Sequence, residues 1–195
     1  MSSSNIVLAS ASPRRSELLS QVGITFEVIP SHIPEEPLDG ETPAEHVTRL
    51  ASQKASEVAG RVGADKWVIG SDTVVIVDGE ILEKPVDESD AMFMLKKLSG
   101  REHKVITGYA IINSSGGEET KRAVETAVKF KELTDSEIEG YVDSGEPMDK
   151  AGAYAIQGLG SFMVEGIVGS YSNVVGLPVC QIVNDLEEVG AVRLF

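Results

Sequence analysis

The apolar residues of this chain change period along its length, and each change marks an element. Residues 5–9, "NIVLA", are the short unbroken apolar run of a buried strand. Ser12 as N-cap and Pro13 at the first helical position then open a helix that runs to about Val22, where Gly23 stops it. "TFEVIP" (25–30) reads as a second strand, and "SHIPEEPLDGE" (31–41), with Pro30, Pro34, Pro37 and Gly40 in or beside it, as a polar loop. Thr42 and Glu45 form a capping box around Pro43, so a long helix follows, with Val47, Leu50, Ala51, Ala55 and Val58 at helical spacing. "KWVIG" (66–70) is an apolar strand expected to stop at "SDT", which puts Asp72 at its far end. "VVIVDGEILEKP" (74–85) is a hairpin turned at Asp78-Gly79.

Asp87 caps a third helix that carries acids in its first turn, lysines in its last and Gly100 beyond its end. Residues 103–133 give two long strands joined through Ser114-Ser115-Gly116-Gly117, an antiparallel ribbon. A capping box at Thr134 and Glu137 starts a short helix. The glycine-dense stretch 150–178 is expected to form a strand, a turn and another strand before a closing helix with Pro178 near its start and Leu186 near its end. Helices alternating with strands and inserted hairpins predict an α/β fold, a mixed twisted sheet flanked by helices, as one domain over residues 1–195.

Composition narrows the function classes. A net charge of −14 opposes binding to nucleic acid or to an anionic membrane, so an anionic ligand needs a local basic site. No stretch approaches the roughly 18 apolar residues of a membrane span, and the start does not resemble a signal peptide; a cytoplasmic protein is expected. The single cysteine, Cys180, allows no internal disulfide or cysteine metal cage and reads as a small buried apolar side chain. Neither a Walker loop nor a Gly-x-Gly-x-x-Gly turn is present, since position 163 is Met. His32, His46 and His103 fit no zinc pattern and are expected in ordinary surface or loop roles.

Several residues remain that could carry chemistry. At Ser12-Pro13-Arg14-Arg15 a helix start offers unpaired N–H groups beside two guanidinium groups, all of which favour phosphate; the alternative is that Ser12 only caps the helix and both arginines point to solvent. Asp72, at the end of a buried strand, lies where α/β sheets place ligands, or else is a turn aspartate. Glu35 and Glu36 could reach the same cleft, and two carboxylates near a phosphate would need a divalent cation between them; the alternative is a solvated acidic loop. Lys54, Lys84 before Pro85, and Asp149-Lys150 are weak signals alone. Gln157, among small and apolar residues, either satisfies local backbone or reads a base edge.

Taken in order, "LASASPRR", Glu35, "GSDTVV", "LEKP", "LSGREHKVITG" and "DKAGAYAIQGLG" resemble the Maf family of nucleoside triphosphate pyrophosphatases, also described as septum-formation-inhibitor-like proteins, from about residue 5 to 188. The resemblance implies hydrolysis between the α- and β-phosphates with a divalent cation, Mg²⁺ or Mn²⁺, by a homodimer whose α/β fold and central cleft are shared with inosine triphosphate pyrophosphatases. It implies phosphate-binding roles for Ser12, Arg15, Lys54 and Lys84, a metal-associated role for Glu35, and a catalytic and metal-associated role for Asp72. Pro34 stands where some members carry another acid, which leaves Glu36 as the alternative to Glu35. Arg14, Thr73 and Gln157 resemble the trio of the dTTP/UTP group; the 7-methyl-GTP group carries Trp, Gln and Glu there. CTP and modified pyrimidine nucleotides are further substrates to weigh, and a nucleotide-binding regulator of cell division is the reading from a different class.

Overall fold

The computed structural model describes residues 4–116 and 119–195, so Gly117 of the expected Ser-Ser-Gly-Gly connection lies outside the described residues. Seven strands among them pair into a mixed sheet: β1 (Ile6–Leu8), β2 (Glu27–Val28), β3 (Trp67–Val77), β4 (Glu80–Leu82), β5 (Glu102–Asn113), β6 (Glu119–Phe130) and β7 (Val164–Val168). Their order is β2-β1-β3-β5-β6-β7, with β4 also on β3. β1 is parallel to β2 and β3, whereas β4 and β7 are antiparallel to their partners. Helices flank this sheet, as expected of the α/β class. No helix among the described residues is long and apolar enough to cross a membrane.

The chain forms two compact units, and β3, β5 and β6 each contribute residues to both. The first comprises Met1–Asp72, Thr107–Val124 and Gly176–Phe195. It holds α1 (Pro13–Gln21), α2 (Pro43–Ala59) and α6 (Val179–Glu188). Both arms of the capping box at Thr42 and Glu45 are made, and Pro43 begins α2. α2 lies almost on the backbone of β3 and β5, because the sheet offers glycine where the helix crosses it. A Cβ on Gly70 would fall 2.1 Å from the Ala51 carbonyl oxygen, and one on Gly108 would fall 2.4 Å from that of Val47. Val7, Ala51, Ala55, Val58, Val68 and Ala110 fill the resulting thin interface. α6 is pinned by buried Asp185, which accepts from Tyr109 Oη (2.5 Å) and from Arg122 Nε (3.0 Å) and Nη2 (2.9 Å). Cys180 is exposed rather than buried, since α6 turns Val179, Ile182, Val183 and Leu186 inward and Cys180 falls on the other face.

The second unit comprises Thr73–Ile106 and Glu125–Val175. Its helices are α3 (Glu88–Leu98), α4 (Asp135–Asp143) and α5 (Tyr171–Val175), around a core that includes Val75, Leu95, Leu98, Phe130, Tyr154 and Met163. The Asp87 cap, the capping box at Thr134 and Glu137, and the tight turn with positive φ at Asp78 and Gly79 form as the sequence predicts.

Four further expectations are corrected. β3 does not stop at "SDT" but continues to Val77, so Asp72 lies within the strand. The polar run does not break it because its groups are satisfied from elsewhere in the chain: Ser71 Oγ hydrogen-bonds the Gly108 and Gly176 carbonyls, both at 3.1 Å, and Asp72 pairs with Lys54. β2 shrinks to Glu27–Val28. Residues 146–163 form three 3₁₀ turns (Glu146–Asp149, Ala151–Ala153 and Gly158–Met163) instead of a strand, since Gly152 (φ 66°), Ala153 (φ 58°) and Gly158 (φ 68°) all lie in the left-handed region that an extended chain cannot use. Finally, His46 and His103 are buried. His103 points inward from β5, edge-on to Phe130 and 2.7 Å from Tyr154 Oη, and burial pushes its pKa down to about 4.

Candidate active site

The first unit gathers Arg15, Glu35, Lys54 and Asp72. Lys54 sits on the face of α2 that carries Ala51, Ala55 and Val58 onto the sheet, and the close approach allowed by Gly70 leaves it only 7% exposed. Its Nζ donates to Asp72 Oδ1 at 2.7 Å and pairs with Glu35 Oε1 at 2.6 Å. Asp72 is 8% exposed, whereas nearly half of the Glu35 side chain remains open. A buried ammonium is costly unless paired, and two carboxylates on one cation meet that cost.

Arg15, one turn into α1, points inward. Its Nε donates to the Gly176 carbonyl (2.7 Å), and Nη1 donates to the Ser71 carbonyl (2.9 Å) and to Ser10 Oγ (3.2 Å). Burial lowers the Arg15 pKa, and the nearby charges of Asp72 and then Glu35 act against that lowering. The solvent-pointing alternative is therefore excluded for this arginine. Ser12 takes the N-cap position of α1 without a side-chain cap bond. Arg14 is half-buried and makes no ion pair among the described residues.

The loop carrying Glu35 is held by residues that sequence reasoning passed over. Glu41 accepts a bidentate pair from Arg49 and the Leu38 N–H (3.2 Å), and Arg49 Nη2 also donates to the Glu36 carbonyl (3.0 Å). The Arg49 hydrogen bonds hold the Glu41 carboxyl down to about 2. Between the two neighbours it is Glu35 that meets Lys54; Glu36 is exposed and tied through its backbone. The one signal available was an acid directly before the Thr42 cap, with Arg49 two turns along the helix.

Thr73, Lys84 and Gln157 belong to the second unit. Thr73 is the next residue of β3 after Asp72 and is half-buried. Lys84 follows β4, is exposed and has no ion pair among the described residues. Gln157 precedes the turn Gly158–Met163, and its carboxamide makes no hydrogen bond among the described residues, so it does not serve the local backbone. Lys150 is engaged within its own turn by Asp149 and the Glu146 carbonyl.

No group of three or more His, Cys, Asp and Glu side chains among the described residues could hold a metal ion. Glu35 and Asp72 nevertheless converge on one cation, the Lys54 ammonium, and one or two carboxylates are the usual protein share of a magnesium site. The donor set therefore fits a hard divalent ion whose remaining positions are filled by water and phosphate oxygens. Chemically the cluster offers a buried carboxylate able to orient or deprotonate water beside two cations able to take phosphate charge.

The family described as "Maf-like protein" matches residues 5–189 of this chain. A dTTP/UTP pyrophosphatase of Syntrophotalea carbinolica is 58% identical over 193 residues, 98% of this chain and 88% of its own length. A protein of the same name from Geobacter sulfurreducens is 56% identical over 191 residues, 98% of this chain and 100% of its own. Among solved structures, a nucleoside-triphosphatase / dITP/XTP pyrophosphatase from Mycobacterium abscessus covers 66% of this chain and 75% of its own, at 19% identity and a TM-score of 0.41, a likeness too slight to bear weight.

Proposed function

This chain belongs to the Maf-like protein family, and from that premise we propose that it hydrolyses dTTP and UTP to the nucleoside monophosphate and pyrophosphate. The observation that carries the reading is the Glu35–Lys54–Asp72 cluster, with the Arg15 guanidinium turned inward onto the carbonyl of Ser71, the residue before Asp72. In this reading Asp72 orients and deprotonates the attacking water, while Arg15, Lys54 and the start of α1 at Ser12 take up charge on the phosphates. Glu35 and Asp72 would hold Mg²⁺ or Mn²⁺, which when bound neutralises phosphate charge and polarises the scissile bond. The resemblance extends phosphate binding to Lys84 and gives base selection to Arg14, Thr73 and Gln157. An imide edge presents acceptor, donor and acceptor, which an amide and a hydroxyl can meet. The same resemblance supports a homodimer. Cytoplasmic residence rests on the composition: a single cysteine fits a reducing compartment.

A competition assay among dTTP, UTP, CTP, 5-methyl-UTP and 7-methyl-GTP tests the reading. The expected ranking places dTTP and UTP first among the canonical nucleotides. A clear preference for 7-methyl-GTP overturns the substrate group, and binding without product overturns the enzyme in favour of a nucleotide-binding regulator.

A further inference from the structure

The segment around Gln157 pairs with no strand among the described residues, and its backbone is held by two side chains outside it. Glu146 Oε2 accepts the N–H of Leu159 and Oε1 accepts that of Gly160, both at 3.1 Å. Tyr141, on α4, donates its hydroxyl to Glu146 Oε1 (3.0 Å) and accepts the N–H of Ala155 (3.2 Å). Backbone groups on both sides of Gln157 are thus held by one carboxylate and one phenol. The glycines make the fit possible. A Cβ on Gly158 would lie 2.8 Å from Glu146 Oε2, and one on Gly160 would lie 2.7 Å from Tyr141 Oη. Burial acts to raise the Glu146 pKa, but the N–H groups of Gly160 and Leu159 and the Tyr141 hydroxyl outweigh it and hold the carboxyl below its usual range. Glu146 is therefore charged at neutral pH. Charged acceptors make the stronger hydrogen bonds to backbone, so this clamp is a firm one.

We propose that Glu146 and Tyr141 are positioning residues that fix the Gln157 carboxamide for nucleobase selection. The proposal rests on Gln157 reading the base of a pyrimidine nucleoside triphosphate. Neither side chain touches substrate; both act through the backbone of residues 155–160, which pre-organises an amide that has no hydrogen bond among the described residues. A loosened segment costs recognition of the correct base more than it costs the chemistry, which the first unit's cluster carries.

Steady-state kinetics on dTTP and GTP for Tyr141→Phe, Glu146→Gln, Gln157→Ala and the double variant Tyr141→Phe/Gln157→Ala tests this. Tyr141→Phe keeps the ring and loses the hydroxyl. The expected result is a roughly tenfold higher KM for dTTP with kcat within about twofold and a reduced dTTP:GTP ratio, in the range set by the loss of a hydrogen bond or two. Glu146→Gln, which keeps one acceptor oxygen, is expected to show the same split. In the Gln157→Ala background, Tyr141→Phe should add almost nothing to KM, because the two act on one interaction. Hydrogen exchange of residues 155–160 should rise in Tyr141→Phe. Additive effects of the two changes, or an unaltered KM and dTTP:GTP ratio in Tyr141→Phe and Glu146→Gln while Gln157→Ala raises KM, overturn the clamp and leave base reading by Gln157 standing. An unaltered KM in Gln157→Ala overturns the base-reading premise and the proposal with it.

Discussion

Asp72→Asn is expected to lower turnover of dTTP by roughly 10³-fold and to leave the protein folded. Asparagine fills the same volume in β3 but can neither carry the charge nor take a proton from water. The fold survives because the partners of Asp72 keep other contacts. Lys54 retains Glu35 at 2.6 Å, so no buried ammonium is orphaned. Arg15 retains the carbonyls of Ser71 and Gly176 and the hydroxyl of Ser10. Single-turnover kinetics beside a thermal melt monitored by circular dichroism separates the two effects. A variant that melts like the parent and still turns over at near-normal rate removes Asp72 from the chemistry.

Gly70→Ala is the second large effect, and it acts through packing. A methyl group at this position meets the Ala51 carbonyl oxygen at 2.1 Å and the Ala55 nitrogen at 2.8 Å. These are helix backbone atoms, so no side chain can swing aside and α2 itself must move off the sheet. Overpacking of a well-filled interface costs about 1–3 kcal/mol, and a clash with backbone on this scale falls at or above the upper end. Lys54 rides on the displaced helix, so loss of activity should accompany loss of stability. Gly63→Ala is the control, since nothing lies within 4 Å of its Cβ position. Urea denaturation should show Gly70→Ala unfolding at much lower denaturant, or failing to fold, with Gly63→Ala close to the parent. Equal midpoints for both variants would mean that α2 does not rest on Gly70.

Much of this architecture was legible because local chemistry decides it. Thr42 with Glu45, and Thr134 with Glu137, satisfy orphan helix donors within four residues, and Asp78-Gly79 supplies the two positive φ angles of a tight hairpin turn. Where partners come from far along the chain, the sequence misleads. Ser71 and Asp72 look like the end of a strand because their satisfaction comes from Gly108, Gly176 and Lys54, none nearer than 18 residues. His103 reads as a surface residue until β5 turns it toward Phe130 and Tyr154. Composition gave the glycines of residues 150–163 the look of strand and turn, and only the left-handed angles at Gly152, Ala153 and Gly158 exclude the strand.

The candidate site divides in the same way. Spacing alone leaves Arg15, Glu35 and Asp72 each with an ordinary alternative, and it is the resemblance that singles them out. The residues that hold their surroundings carry no motif. Arg49 with Glu41 braces the Glu35 loop, and Glu146 with Tyr141 braces the Gln157 segment, through contacts to backbone that no residue spacing announces.

The most direct test is phosphorus NMR of dTTP incubated with the purified protein and Mg²⁺. Cleavage of the α–β anhydride predicts dTMP and inorganic pyrophosphate accumulating in equal amounts, with no dTDP. Orthophosphate appearing together with dTDP, or dTTP persisting beside a folded protein, would contradict it.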